Sequence, residues 1–383
     1  MKKIDPIDFA QSLIRCPSIT PQEAGALDLL QTTLENLGFV CTRYPFAEVD
    51  NLYARLGMNG PNFCYAGHTD VVPVGNKDDW KHHPFSAEIE DGKIWGRGAA
   101  DMKGGIAAFV ASVSDLLHSG WKPNGSISFL ITGDEEGPAL NGTVRVLQAL
   151  SKAEEVIDHC LVGEPTNPNT LGEMVKIGRR GSLNGVITVT GVQGHVAYPD
   201  LASNPVPTLL KILTALTSKK LDAGNANFQP SNLEITTVDV NNPAHNVIAN
   251  SASAQLNIRY NTEHSGHDLV EWIEEEIAGV QKDFDGNIDA DLRLPGFPFL
   301  TKPCAFTDTL RAAIQDVTGI ETELSTSGGT SDARFLTRIC PVVEFGLIGK
   351  TIHQVNEYAE IEDIKCLTNI YKVFLQKYFT GQG

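Results

Sequence analysis

The chain has 383 residues, 42% hydrophobic and 20% charged, enough for a sizeable core and roughly two or three domains. Its formal net charge of −17 excludes a general nucleic-acid binder and leaves room only for a local cationic pocket, for instance around Arg179-Arg180. The start, Met1-Lys2-Lys3-Ile4-Asp5-Pro6, lacks the apolar stretch of a signal peptide, and no apolar run approaches a membrane span, so a cytoplasmic protein without membrane contact is expected.

In chain order, Asp5 can cap a first helix with Pro6 at its first position and Ile7, Ala10 and Ile14 on one face. Thr20-Pro21-Gln22-Glu23 reads as the cap, first-turn proline and capping-box glutamate of a second helix. That helix carries Leu27, Leu30, Leu34 and Leu37 as one stripe and stops at Gly38. Strands are predicted over 39–44, 52–56, 63–66, 126–131, 159–162 and 173–177, with helices over 105–118 and 143–150. This alternation is that of an open α/β sheet, which offers its strand ends to a site.

After residue 178 the order of elements changes. Strands over 183–190, 233–240, 252–260 and 288–292 and helices over 205–217 and 269–280 follow in the order β-α-β-β-α-β of a ferredoxin-like unit. A second domain over 179–293 is therefore predicted, inserted into a first domain made of 1–178 and 294–383. The first domain resumes with a helix over 305–317, a strand over 340–345 and a terminal helix over 361–379. The seven cysteines (16, 41, 64, 160, 304, 340 and 366) are odd in number and scattered without a Cys-x-x-Cys pair, which reads as reduced thiols.

Several residues beside glycine, proline or a strand end can bear chemistry. His68 and Asp70, in Gly67-His68-Thr69-Asp70, point to one side of an extended segment and suit a metal ligand with its orienting partner. Asp101 lies in a glycine-rich loop, Glu135-Glu136 follows a strand, Glu164 stands between Gly163 and Pro165, and His353 follows Ile352. Two histidines and several carboxylates without cysteine suit zinc, cobalt or manganese at a catalytic site. Taken singly, each also reads as a turn residue, a solvated acid or an ordinary histidine. Gly-x-Ser-x-Gly, His-Glu-x-x-His and the phosphate-loop spacing are absent.

The combination carries more. The stretches Gly96-Arg97-Gly98-Ala99-Ala100-Asp101-Met102-Lys103, Asp134-Glu135-Glu136-Gly137, Val162-Gly163-Glu164-Pro165-Thr166, Lys176-Ile177-Gly178-Arg179-Arg180-Gly181-Ser182, Gly191-Val192-Gln193-Gly194-His195-Val196-Ala197-Tyr198-Pro199 and Asn246-Val247-Ile248-Ala249 match long motifs. Through them the chain resembles, nearly end to end, the M20-type dizinc amidohydrolases and peptidases, a family that includes aminoacylase and glutamate carboxypeptidase. The resemblance implies an α/β, zinc-peptidase-like catalytic domain with an inserted ferredoxin-like α+β dimerisation (lid) domain, and hence a homodimer. It implies two zinc ions per subunit, with cobalt as a substitute: His68 and Glu164 on one, Glu136 and His353 on the other, and Asp101 bridging both. Asp70 would fix the ring of His68, Glu135 would be the general acid/base, and the Asp101-Met102 peptide would be cis. Three ligand carboxylates and a bridging hydroxide would balance the charge of the two ions.

The same resemblance assigns His195 to the tetrahedral oxyanion, and Arg179, Tyr198, Asn246 and Arg259 to substrate recognition. The loop Ser327-Gly328-Gly329-Thr330-Ser331-Asp332 reads either as a plain flexible loop or as one whose Gly329 and Thr330 present backbone N–H groups to an acyl carboxylate. The implied reaction is hydrolysis of the succinyl amide of N-succinyl-LL-2,6-diaminopimelate, on the route to diaminopimelate and lysine. Acetylornithine deacetylation, dipeptide hydrolysis and a catalytically silent ligand-binding dimer are the alternatives. One departure stands out. Where Asn-Ala-Thr-Ile-His is expected before the last ligand, this chain has Gly349-Lys350-Thr351-Ile352-His353.

Overall fold

The computed structural model describes residues 3–380 and divides into two compact units. The first comprises the chain up to Ile177, Thr301–Ser325 and the chain from Ser331 onward; the second comprises Gly178–Leu300 and Thr326–Thr330.

The first unit is built on an eight-stranded mixed sheet. Three of its strands matter most: Ser126–Thr132, Asn62–His68 and His159–Val162 are parallel neighbours in that order. The first two are buried at every position. That is why they read as continuous apolar runs and not as alternating strands: a parallel sheet is covered on both faces. Strand Val342–Glu344 adds in parallel beside His159–Val162.

The long helices Gly104–His118 and Ile361–Thr380 pack on one another and enclose an aromatic core. In it Tyr65 stacks on Phe109 at 4.2 Å between ring centroids, with Phe129 and Tyr371 edge-on to Phe109. Burying each such side chain contributes about 1.5–3 kcal/mol, enough to hold the strand ends in place. Among the described residues no helix is long and apolar enough to cross a membrane. The seven cysteines are free thiols.

The first helix is Pro6–Ile14, with the Asp5 carboxylate accepting from the N–H groups of Ile7 and Asp8. The second helix corrects the sequence reading. It begins at Ala26, behind Gly25 at φ +88°, and Thr20-Pro21 is a cis peptide in the preceding turn. Glu23 still serves this helix, but its carboxylate accepts from the N–H of Leu27 instead of closing a box on Thr20. A small three-stranded sheet, Glu88–Glu90, Lys93–Trp95 and Tyr358–Glu360, was not foreseen.

The second unit carries a four-stranded antiparallel sheet in the spatial order Asn232–Asp239, Ser251–Tyr260, Gly181–Thr190, Asn287–Gly296. Its helices are Pro205–Ser218 and Gly266–Gln281. Leu183, Ile187, Leu209, Ile212, Leu256, Ile258 and Ile273 form its core. The topology is ferredoxin-like. The last long strand runs to Gly296, and Phe299–Leu300 pairs with Gly178–Arg179, which carries this unit beyond the expected limit at 293.

Candidate metal centre

Register delivers the site. His68 pairs across from Thr132, and Ala66 from Val162, so three parallel strands end together. His68 closes the middle strand, Glu135 and Glu136 follow one neighbour, and Glu164 follows the other. Ligand sites at the carboxyl ends of parallel strands follow from this sheet geometry. Asp101 comes from the turn Ala99–Lys103 that opens helix Gly104–His118, and its peptide bond to Met102 is cis. His353, at φ +61°, comes from the loop between Val342–Glu344 and Tyr358–Glu360.

These residues meet. Asp101 lies between the two histidines: its Oδ1 is 3.2 Å from Nε2 of His68 and its Oδ2 is 3.3 Å from Nε2 of His353. Glu164 Oε1 is 3.8 Å from Nε2 of His68, and Glu136 Oε1 is 2.9 Å from Nε2 of His353. Two groups of potential ligand atoms result, His68–Asp101–Glu164 and Asp101–Glu136–His353, each within 4.8 Å. A third combination, His68–Glu135–Glu136, also falls within that limit. The aim of the two Asp101 oxygens favours the first two groups as a pair sharing one carboxylate. Nitrogen and oxygen donors without thiolate fit a divalent catalytic metal.

The clustered carboxylates dominate the electrostatics of the site. Burial pushes the His68 ring down, but the hydrogen bond and charge of Asp101 hold it well above its ordinary value. Hydrogen bonds with Asp101 and Glu136 raise His353 to about 10. Burial works against Asp101, yet its two histidines hold it below the usual carboxylate range. Glu135 is different: burial first, then the charge of Glu164, push its carboxyl well above the usual range. A carboxyl held high beside such ligands suits proton transfer.

Asp70 acts through two different groups, its backbone carbonyl and its carboxylate. Its backbone carbonyl lies 2.8 Å from Nδ1 of His68, whereas its carboxylate is 3.8 Å from that nitrogen. The carboxylate accepts instead from the N–H groups of Glu135 at 3.3 Å and Glu136 at 3.0 Å. Gly349 is pinned against the neighbouring loop. Its N–H donates to the Asn167 carbonyl, and an added Cβ would stand 2.9 Å from the Pro165 carbonyl. An asparagine side chain does not fit there without a shift.

Two residues escaped the sequence reading. Glu357 is fully buried beneath the Asp101 turn and pairs with Arg97 at 2.7 Å. The signals were faint: an arginine between Gly96 and Gly98, and a glutamate four residues past His353.

The remaining expected residues lie in the second unit, in two groups. Arg179 donates to the Gly329 carbonyl at 2.8 Å, and Arg259 donates to the Thr330 hydroxyl at 3.1 Å. Gly328, at φ +107°, lets Arg179 lie close, since a Cβ there would stand 2.7 Å from its Nη1. Burial, then the charge of Arg180, lower the Arg259 guanidinium from its ordinary value. In the other group, Gly194–His195 pairs with Val247–Ile248, the N–H of Val196 donates to the Asn246 carbonyl, and the Tyr198 ring lies 5.8 Å from that of His195. The N–H of Ala197 donates to Nδ1 of His195 at 3.1 Å. That leaves the ring proton on Nε2, a donor on an exposed side chain.

Known proteins resemble the chain in sequence and in fold. Residues 64–377 match peptidase family M20/M25/M40. The chain is 58% identical over 375 residues to a succinyl-diaminopimelate desuccinylase of Maricaulis maris, covering 98% of this chain and 96% of that protein. It is similar in fold to the M20 family metallo-carboxypeptidase Sso-CP2 from Sulfolobus solfataricus, with a TM-score of 0.81, 19% identity and coverage of 99% and 100%. It is also similar in fold to the Bacillus subtilis YXEP protein, described as a dinuclear metal-binding peptidase from the M20 family, with a TM-score of 0.72, 14% identity and 98% coverage of both chains.

Proposed function

Because this chain belongs to peptidase family M20/M25/M40, we propose that it is a metal-dependent amidohydrolase that releases succinate from N-succinyl-LL-2,6-diaminopimelate. The product, LL-2,6-diaminopimelate, feeds diaminopimelate and lysine synthesis. The observation that carries the reaction is the full-length 58% identity to a desuccinylase, joined to a complete set of candidate ligands.

Two zinc ions, or cobalt in their place, are the proposed cofactors. His68 and Glu164 would hold one, Glu136 and His353 the other, and Asp101 both. Bound metal supplies Lewis-acid polarisation of the amide carbonyl and acidifies the attacking water. Everything else falls to the chain. Glu135, with its carboxyl held high by burial, takes the proton of the water and gives it to the departing amine. Glu136 cannot share that task while it holds metal. The Asp70 carboxylate keeps these neighbours apart by gripping both backbone N–H groups.

The second unit is the proposed dimerisation and lid domain of a homodimer. Supporting this, Asn232–Asp239 is an edge strand of its sheet with Val238 exposed, and Val192, Tyr198, Leu201 and Leu210 are exposed apolar side chains of the same unit. The Nε2–H of His195 suits an oxyanion donor. Arg179 and Arg259, with Tyr198, Asn246, Gly329 and Thr330, suit a substrate rich in carboxylates. The working location is the cytoplasm. Comparing kcat/KM for N-succinyl-LL-2,6-diaminopimelate, N-acetylornithine and dipeptides tests the substrate; a preference for either of the latter overturns it.

A further inference from the structure

The turn that carries Asp101 has an unusual shape and one conspicuous support. Gly98 stands at φ +83°, where a Cβ would meet Val71 at 2.7 Å, and Asp101 and Met102 leave helical geometry. Three backbone N–H groups of this turn converge on the Glu357 carboxylate. Gly98 donates to Oε2 at 3.1 Å, while Ala100 and Asp101 donate to Oε1 at 3.0 Å and 3.2 Å. The Glu357 side chain has no exposed surface.

Arg97 completes the device from the other side. It pairs with Glu357 through Nη1, which also donates to the Gln354 carbonyl at 3.2 Å. Its Nη2 donates to the carbonyls of His353 at 3.4 Å and Pro73 at 3.5 Å. Burial and the charge of Asp101 both favour a protonated Glu357, and a cation beside it opposes this. Arg97 supplies that cation, and its Nη1 and Nη2 also reach the loop of His353 through the Gln354 and His353 carbonyls. The pair therefore ties two segments that are far apart in sequence, the Asp101 turn and the His353 loop.

We infer that Glu357 and Arg97 are positioning residues for the second metal, the one held by Asp101, Glu136 and His353. They set the backbone from which the two Asp101 oxygens reach the two histidines, and they hold the His353 loop at that distance. The first site, His68–Asp101–Glu164, shares only Asp101 with this support. Loss of the pair must then weaken the second metal more than the first. This rests on the dimetal reading above.

The test uses full-length protein and two variants. Glu357→Gln keeps one acceptor oxygen. The double variant Arg97→Met with Glu357→Leu removes every acceptor without leaving a buried charge unpaired. Zinc binding is followed by calorimetry, and folding of the metal-free proteins by denaturant titration. Removing the partners that orient metal ligands typically costs about 10- to 100-fold in affinity. The expected result is a second equivalent weakened about 10-fold in the single variant and about 100-fold in the double, with the first changed several-fold at most. Turnover should fall in kcat, with KM within about two-fold, because substrate contacts lie elsewhere. Unchanged affinity for the second equivalent overturns the inference. So does an equal fall of both equivalents, or loss of folding in both variants, since either assigns the pair to general stability. Two equivalents bound by the unaltered protein verify the dimetal reading separately.

Discussion

The backbone carbonyl of Asp70, not its carboxylate, faces Nδ1 of His68 at 2.8 Å. It fixes the tautomer that leaves Nε2 toward Asp101 and Glu164. The carboxylate is spent on the N–H groups of Glu135 and Glu136 and is itself held up at about 6, mainly by burial. Asp70→Asn keeps the carbonyl but removes the charge and one acceptor oxygen. It is expected to stay folded, to bind zinc more weakly and to lose about 10- to 100-fold in kcat. Metal titration and steady-state kinetics check this; unchanged kinetics contradict it.

Glu135→Gln separates base from ligand. The variant should bind as much zinc as the parent and lose about 10²- to 10⁴-fold in kcat, the usual worth of a positioned general base. Metal analysis beside turnover decides. Parental activity would remove Glu135 from the mechanism, and loss of one metal would make it a ligand.

Proton release reports on the histidines. Without metal, His353 titrates near 10 through its hydrogen bonds with Asp101 and Glu136, and His68 is held well above its ordinary value. Both shifts favour the protonated ring, and a ring nitrogen must be free of its proton to bind metal. Zinc binding should therefore release protons, measured by calorimetry in buffers of different ionisation enthalpy; binding without proton release contradicts this.

The same shift has a sign for stability. His353 is raised above its ordinary value of 6.5, so its contribution is full below pH 6.5 and disappears as pH rises through 10. Asp101, held low, contributes above 3.8 and loses that as pH falls. Metal-free protein should be less stable at pH 10 than at pH 6; an equal denaturant midpoint at both contradicts this.

Arg259→Lys tests substrate recognition. A guanidinium fork engages a carboxylate through two parallel hydrogen bonds that an ammonium cannot reproduce. KM should rise about 10-fold or more with kcat little changed. A loss confined to kcat would place Arg259 in the chemical step.

Most of the fold was legible because it rests on local pattern. The stripe of Leu27, Leu30 and Leu34, the buried run at Phe63-Cys64-Tyr65-Ala66 and the β-α-β-β-α-β order each state their own element. What failed was what depends on distant partners or on a particular atom. Nothing near Trp95 announces that it pairs with Tyr358, yet that pairing brings Glu357 under Gly98. The residue Asp70 could be singled out from its spacing to His68, but not whether carbonyl or carboxylate would face the ring. The missed cap at Thr20 is a third case: Gly25, five residues on, sets the helix start through its positive φ.

The most direct test is hydrolysis of N-succinyl-LL-2,6-diaminopimelate by protein of measured zinc content, before and after chelation. The expected result is two equivalents per chain, release of succinate, loss of activity with the chelator and recovery with zinc. Protein that holds two equivalents and leaves this amide intact would contradict the account.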